Sequence, residues 1–166
     1  MSELPIIRLA ENGDLPKIML IFEKARQVMR KSGNLYQWVN GYPSEEIITD
    51  DIRQGCFYVE EFNGAITGCF AFIVGPEPTY RKINGKWLDD RPYGTIHRLA
   101  SSGDIGGVAD RCFRFCQTII PNLRADTHEK NVLMQHLLLR FGFRYCGIIW
   151  VADGSERLAY QLIKDR

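Results

Sequence analysis

Thr95-Ile96-His97-Arg98-Leu99-Ala100-Ser101-Ser102-Gly103-Asp104-Ile105-Gly106-Gly107-Val108-Ala109-Asp110 reads as a strand, a glycine-rich turn and the opening of a helix that runs to about Ile120. Strand, tight turn and helix in that order make an anion site. The N–H groups of the turn and the positive end of the helix dipole converge on one spot. The glycines let the backbone approach a ligand with no Cβ in the way. The turn lacks Gly-Lys-Ser/Thr, so it is not a nucleoside-triphosphate loop, and it does not follow Gly-x-Gly-x-x-Gly either.

Upstream, residues 5–10 read as a short strand. Asp14 caps a helix with Pro16 in its first turn, and Leu15, Ile18, Met19, Phe22, Ala25 and Met29 share one face up to Gly33. Tyr36, Trp38 and Tyr42 follow among Asn and Gly with no clean period. Two readings stand for this loop: it lines a substrate pocket, or its aromatics plug the end of the core. Ser44 caps a second helix to about Gln54. Residues 56–61 and 65–74 are strands joined at Asn63-Gly64, with Gly68 marking a bulge. Residues 76–92 form a polar excursion too long for a tight hairpin, in which Tyr80, Ile83 and Trp87 pack on the sheet or on a substrate.

Downstream, the helix after the turn buries Ala109, Cys112, Phe113, Cys116, Ile119 and Ile120, points Arg111 and Arg114 outward, and stops at Pro121. A strand over 123–127 leads through His128 and Asn131 into a helix closed by Gly142. Strands over 143–151 and 157–163 turn on Asp153-Gly154-Ser155. The hairpins at both ends count against a doubly wound parallel sheet.

A chain of 166 residues favours one domain, 1–166, with a sizeable core. A net charge of +1 argues against nucleic acid or an anionic membrane as partner. No apolar run reaches the roughly 20 residues that span a bilayer. Met1-Ser2-Glu3-Leu4-Pro5 has no apolar core, so no secretory leader is expected. The five cysteines are odd in number and four lie in apolar runs, which points to free buried thiols in a reducing, cytoplasmic setting. Cys112 and Cys116 have no further Cys or His at ligand spacing, so no metal is expected.

The segment from Asp104 to Ala109 resembles the Gln/Arg-x-x-Gly-x-Gly/Ala turn of the GCN5-related N-acetyltransferases (GNAT), with Gly107 and Ala109 in the small positions. Asp104 departs from the family's Gln or Arg. A second match lies at Asn131, which opens a helix, and at Phe141-Gly142-Phe143, which closes it before a strand. The element order over residues 5–163 matches as well. The resemblance implies an α/β (α+β) fold: a mixed, mostly antiparallel sheet of about seven strands, flanked by about four helices, with the fourth and fifth strands splayed. It also implies acetyl-CoA as acyl donor. Leu99, Ala100 and Ser101 would line the pantetheine arm. Gly103, Asp104, Gly106, Gly107, Val108 and Ala109 would wrap the pyrophosphate, with Arg111 or Arg140 as sources of positive charge. Asn131 would hydrogen-bond near the thioester.

The implied chemistry is direct attack of an amine on the thioester carbonyl, which needs a neutral amine, a polarised carbonyl and a protonated leaving thiolate. The family's usual acid, a Tyr four residues before the helix-closing Gly, is Leu138 here, and Tyr145 is a candidate replacement. His97 is the candidate base, because an imidazole titrates near neutral pH. Thr95, His97 and Leu99 are expected to share a face. Glu60 and His128 are the next candidates. Tyr36, Trp38 and Tyr42, with the 76–92 excursion, would form the acceptor wall, and their aromatics favour a small amine or an amino-acid-like substrate, with peptide amines also open. The resemblance also allows a homodimer. A second reading is a GNAT-fold module that binds or senses acyl-CoA without turning it over, favoured by Asp104 and Leu138.

Overall fold

The computed structural model of the chain describes residues 3–164. Residues 1 and 2 of the leader reading lie outside them. In chain order the elements are β1 (Ile6–Leu9), α1 (Leu15–Lys31), α2 (Glu45–Arg53), β2 (Phe57–Phe62), β3 (Ala65–Val74), β4 (Asn84–Gly85), β5 (Gly94–Ser101), α3 (Val108–Ile119), β6 (Leu123–Thr127), α4 (Val132–Phe141), β7 (Arg144–Trp150) and β8 (Glu156–Leu162). They form one eight-stranded sheet, ordered β1-β2-β3-β5-β6-β8-β7-β4. Every neighbouring pair is antiparallel except β5 and β6.

Local sequence accounts for most of this. Asn63 and Gly64 both take positive φ and set Phe62 opposite Ala65. Ser44 caps α2 by accepting from the Ile47 N–H. Asp14 does not cap α1 as expected. Its carboxylate accepts from the Arg8 guanidinium at 2.8 and 3.0 Å and from the Glu11 N–H at 2.8 Å. A bidentate charged contact is stronger than a single cap bond.

The sheet has a core on each face. α1 and α2 bury Ile18, Phe22 and Ile48 against Phe57, Val59 and Cys69. α3 and α4 bury Cys112, Phe113, Cys116 and Leu138 against Phe70, Phe143 and Tyr160. Each buried Phe contributes about 1.5–3 kcal/mol. All five cysteines are free; Cys56 is half-buried and the rest are buried.

The expected seven strands become eight because the 76–92 excursion supplies β4, which pairs with β7. Gly85 and Gly147 permit that approach: a Cβ on Gly85 would collide with the backbone of Cys146 and Gly147. The excursion packs on the sheet through Tyr80, Ile83 and Trp87 around Ile149 and Ala159. The Arg124 guanidinium sits 4.0 Å from the Trp87 ring centre and 3.9 Å from that of Tyr93. Among the described residues no helix is long and apolar enough to cross a membrane, and no group of three or more His, Cys, Asp or Glu is placed to hold a metal.

Candidate active site

β5 and β6 run together for only two registered pairs, Gly94 with Leu123 and Thr95 with Arg124. β5 then continues to Ser101 and β6 to Thr127 without pairing to each other. A bulge in β5 accompanies the parting. Cys69 faces Ala100 while Ala71 faces His97, so β5 carries one residue more than β3 across this interval. Arg98 sits inside the bulge with φ 55°.

The bulge corrects the expected alternation. Ile96 and Leu99 both pack into the α3/α4 core, while Ala100 joins the α1/α2 core. Leu99 therefore shares its face with Ile96 and not with His97.

Beyond β5, the Ser101 hydroxyl accepts from the Gly103 N–H at 3.0 Å and the Ser102 hydroxyl from the Asp104 N–H at 3.2 Å. Gly103 and Gly107 hold φ 82°, a left-handed conformation that favours glycine. Gly107 is the N-cap of α3, whose first-turn N–H groups, on Val108, Ala109 and Asp110, have no partner within the helix. Gly68 lets this turn settle on the sheet, since a Cβ there would lie 2.5 Å from Val108 Cγ1. The expected bulge near Gly68 is present, as a register shift at Glu60/Glu61.

Arg111 is not an outward surface residue. Its Nε donates to Glu60 Oε2 at 2.7 Å, and its Nη2 donates to Glu60 Oε1 at 3.1 Å and to the Gly106 carbonyl at 2.8 Å. The Glu60 side chain is 2% exposed. Thr67 Oγ1 also donates to it, at 2.8 Å. Glu60 is thus a buried counter-ion holding the glycine turn, which removes it as a candidate base. Arg140 pairs with Asp110 at 3.3 Å. The cation beside Asp104 is Lys24 of α1, at 3.8 Å.

A cavity of about 560 Å3 occupies the opening between β5 and β6. His97, Leu99 and Asn131 line it, together with Tyr36, Trp38 and Tyr42. His97 Nε2 lies 3.2 Å from Glu77 Oε2, an acid from the excursion. That hydrogen bond outweighs burial and holds the Glu77 carboxyl down at about 2. Thr79 steadies Glu77 further through its hydroxyl at 3.0 Å. Asp126 of β6 accepts from the Tyr80 hydroxyl at 2.6 Å.

Asn131 caps α4 by accepting from the Met134 N–H at 3.1 Å, and its amide donates to Gln37 Oε1 at 3.1 Å. Arg30 ties the same loop down by donating to the carbonyls of Asn34, Gln37 and Trp38. The aromatic loop both lines the cavity and packs against the core. Trp38 lines the cavity while its ring packs edge-on against Phe22 at 5.4 Å. Tyr42 accepts from Arg98 at 3.0 Å, and Tyr36 stacks on His128 at 5.7 Å. Burial lowers the His128 imidazole below its ordinary value.

Tyr145 is not brought to this cavity. It is 52% exposed on β7 and packs on Tyr160. β8 separates β7 from β6, so a side chain there cannot reach the gap. Leu138, 1% exposed, lines the cavity where the family's tyrosine acid would stand. Thr127 also lines the cavity, and its hydroxyl is buried without a hydrogen-bond partner. The unpaired strand edges and the free first-turn amides of α3 suit a long ligand carrying amides at one end and a diphosphate at the other.

A splayed parallel pair beneath a glycine turn at a helix N-terminus is the GNAT acetyltransferase fold, and solved structures bear this out. The chain is similar to a GNAT-family acetyltransferase from Streptococcus agalactiae, at 40% identity over 100% of this chain and 99% of that one, with a TM-score of 0.86. It shares its fold with a GNAT-family acetyltransferase from Listeria monocytogenes, at 21% identity over 95% and 93% of the two chains and a TM-score of 0.68. It also shares it with a candidate acetyltransferase from Salmonella typhimurium solved with its cofactor acetyl-CoA, at 18% identity over 99% and 96% and a TM-score of 0.63. No family model matches the chain, and no curated protein does. The chain belongs to the GNAT family of acetyltransferases.

Proposed function

We propose that this chain is an N-acetyltransferase that moves the acetyl group of acetyl-CoA to a primary amine of a small molecule or peptide by direct attack. The observation that carries this reading is the parting of β5 and β6 beyond Thr95 and Arg124, over the free amides at the start of α3 and beside His97. Acetyl-CoA supplies the activated acyl thioester. The residues of the chain bind, orient and manage protons. Leu99, Ala100 and Ser101 offer strand edges to the pantetheine amides. Gly106, Gly107, Val108 and Ala109 offer N–H groups and the helix dipole to the diphosphate; Gly103 and Asp104, whose N–H groups are taken by the Ser101 and Ser102 hydroxyls, shape the turn around it, and Lys24 offsets the Asp104 carboxylate. Asn131 stands at the thioester end. Tyr36, Trp38 and Tyr42 wall the acceptor.

His97 takes the proton that the acceptor ammonium must lose before attack. Glu77, ionised at any working pH, fixes the imidazole ring. The new C–N bond forms as the C–S bond breaks, and the departing thiolate takes its proton from solvent or from His97, since Leu138 offers none. We take the domain to be 1–166, cytoplasmic and without nucleic-acid, membrane or metal partners, and a homodimer fits this reading.

The Leu138 position also favours a second reading, an acyl-CoA-binding module with little turnover. One assay separates the two: thiol release from acetyl-CoA over a panel of amines, amino acids and peptides. Acceptor-dependent thiol release supports the enzyme. Binding of acetyl-CoA without release leaves the sensor, and no binding at millimolar concentration removes both.

A further inference from the structure

Charges lining the cavity are mostly spoken for. Glu77 is engaged by His97 and Thr79. Arg98 is paired with Asp51 at 2.7 Å and bonded to Tyr42. The Asp153 carboxylate accepts from the N–H and hydroxyl of Ser155 in its own turn. Two groups remain. Asp126 accepts only from Tyr80, with no cation in ion-pair reach among the described residues. Arg157 is 8% exposed, and its Nη1 alone is used, donating to Ser155 Oγ at 3.0 Å and to the Glu156 carbonyl at 2.8 Å. Its Nε and Nη2 have no acceptor among the described residues, yet they are not sealed off from open space.

These two groups lie on one face of the sheet. β6 and β8 pair antiparallel, Asp126 opposite Ala159 and Thr127 opposite Leu158. Arg157, two residues from Ala159, therefore lies on the same face as Asp126 and diagonal to it, a separation of roughly 7–8 Å between the residues. Leu158 and Ala125 turn to the opposite face, into the α3/α4 core. Asp126, Arg157 and His97 all line the one cavity. The nearby Asp153 carboxylate partly offsets this buried guanidinium, but no carboxylate is hydrogen-bonded to its two unused donors, and a ligand anion would complete them. Guanidinium nitrogens in a fork match a carboxylate.

From this pair we infer that the acceptor is a zwitterion of the amino-acid class, its carboxylate bound by Arg157 and its ammonium held by Asp126 within reach of His97. This rests on the acetyltransferase reading of the cavity. A diamine would leave Arg157 facing a cation. The N-terminus of a peptide would bring no carboxylate to it.

The test uses the full chain with saturating acetyl-CoA and matched acceptors: phenylalanine, phenethylamine and phenylalaninamide, then lysine, cadaverine and lysinamide. The expected result is a kcat/KM for the free amino acid about tenfold or more above its decarboxylated and amidated partners, the scale of one charge-assisted hydrogen bond. Arg157→Gln should abolish that preference by raising KM for the amino acid alone, and Arg157→Lys should restore part of it. Asp126→Asn should raise KM for every acceptor. Acetyl-CoA affinity serves as the folding control for each variant. Equal turnover of amines and amino acids, or an Arg157→Gln effect alike on both, overturns the inference and leaves the acetyltransferase standing. If no acceptor releases thiol, the acetyltransferase reading fails, and calorimetry of the same acceptors on the CoA-loaded chain decides the site. Binding of the amino acids alone sustains the zwitterion pocket; equal binding or none overturns it.

Discussion

Thr95 and Arg124 are the last residues at which β5 and β6 lie in register; beyond them Ile96 and Ala125 line the cavity. A pair of neighbouring strands that stops after two rungs leaves backbone donors and acceptors to be satisfied by something else. The bulge at Arg98, the glycine turn and α3 surround that opening.

The approach of α3 to the sheet depends on Gly68. In Gly68→Ala the new Cβ meets Val108 Cγ1 at 2.5 Å, and Val108 is the first residue of the helix. Overpacking of this kind costs about 1–3 kcal/mol. Denaturant unfolding should show that loss, and calorimetry should show weaker acetyl-CoA binding, because the displaced turn carries the amides.

The Arg111–Glu60 pair should be worth more than a surface ion pair. Arg111→Met leaves the Glu60 carboxylate buried without its cation and frees the Gly106 carbonyl. The expected destabilisation lies at the lower end of about 3–5 kcal/mol, since Arg111 keeps some solvent contact. The paired variant Glu60→Gln/Arg111→Met should recover part of it in urea unfolding.

His97 and Glu77 should act as a unit. His97→Ala should lower kcat and leave acetyl-CoA affinity intact; unchanged turnover on the true acceptor would remove His97 from the mechanism. Glu77→Gln should lower kcat less. Glu77 also predicts an acid-side stability change. Its carboxyl titrates at about 2 when folded and near 4.5 when unfolded. Its stabilisation is therefore complete above pH 4.5 and is lost as pH falls toward 2. Thermal melts across that window should fall less steeply in Glu77→Gln than in the parent.

Tyr145→Phe should leave kcat and KM within about twofold, because surface changes away from a site are nearly neutral. Its ring is half exposed, two strands from the gap.

Much of the fold is legible in short-range chemistry. Asn63-Gly64 dictates a hairpin, Ser44 and Asn131 cap helices as their side chains allow, and the glycine turn before α3 lies where the spacing places it. The splayed strands come from the family resemblance, since no residue pattern announces them. The two-residue β4 carries no alternation to read. Arg98 has no propensity for positive φ, so the bulge, and with it the face of Leu99, is invisible until β3 and β5 are paired. Contacts across long separations are equally hidden. Glu60 and Arg111 are 51 residues apart in the chain, and Glu77 and His97 are 20. Asp126 and Arg157 look like ordinary strand charges until the β6–β8 register puts them on one face, diagonal to each other.

In the proposed complex the arm of acetyl-CoA fills the opening between β5 and β6, with its phosphates on the turn at the head of α3. Amide hydrogen exchange, followed residue by residue with and without acetyl-CoA, tests it most directly. Bound acetyl-CoA should slow exchange only in residues 97–109 and along the inner edge of residues 125–127. Unchanged exchange there with saturating ligand, or protection only elsewhere on the chain, would contradict it.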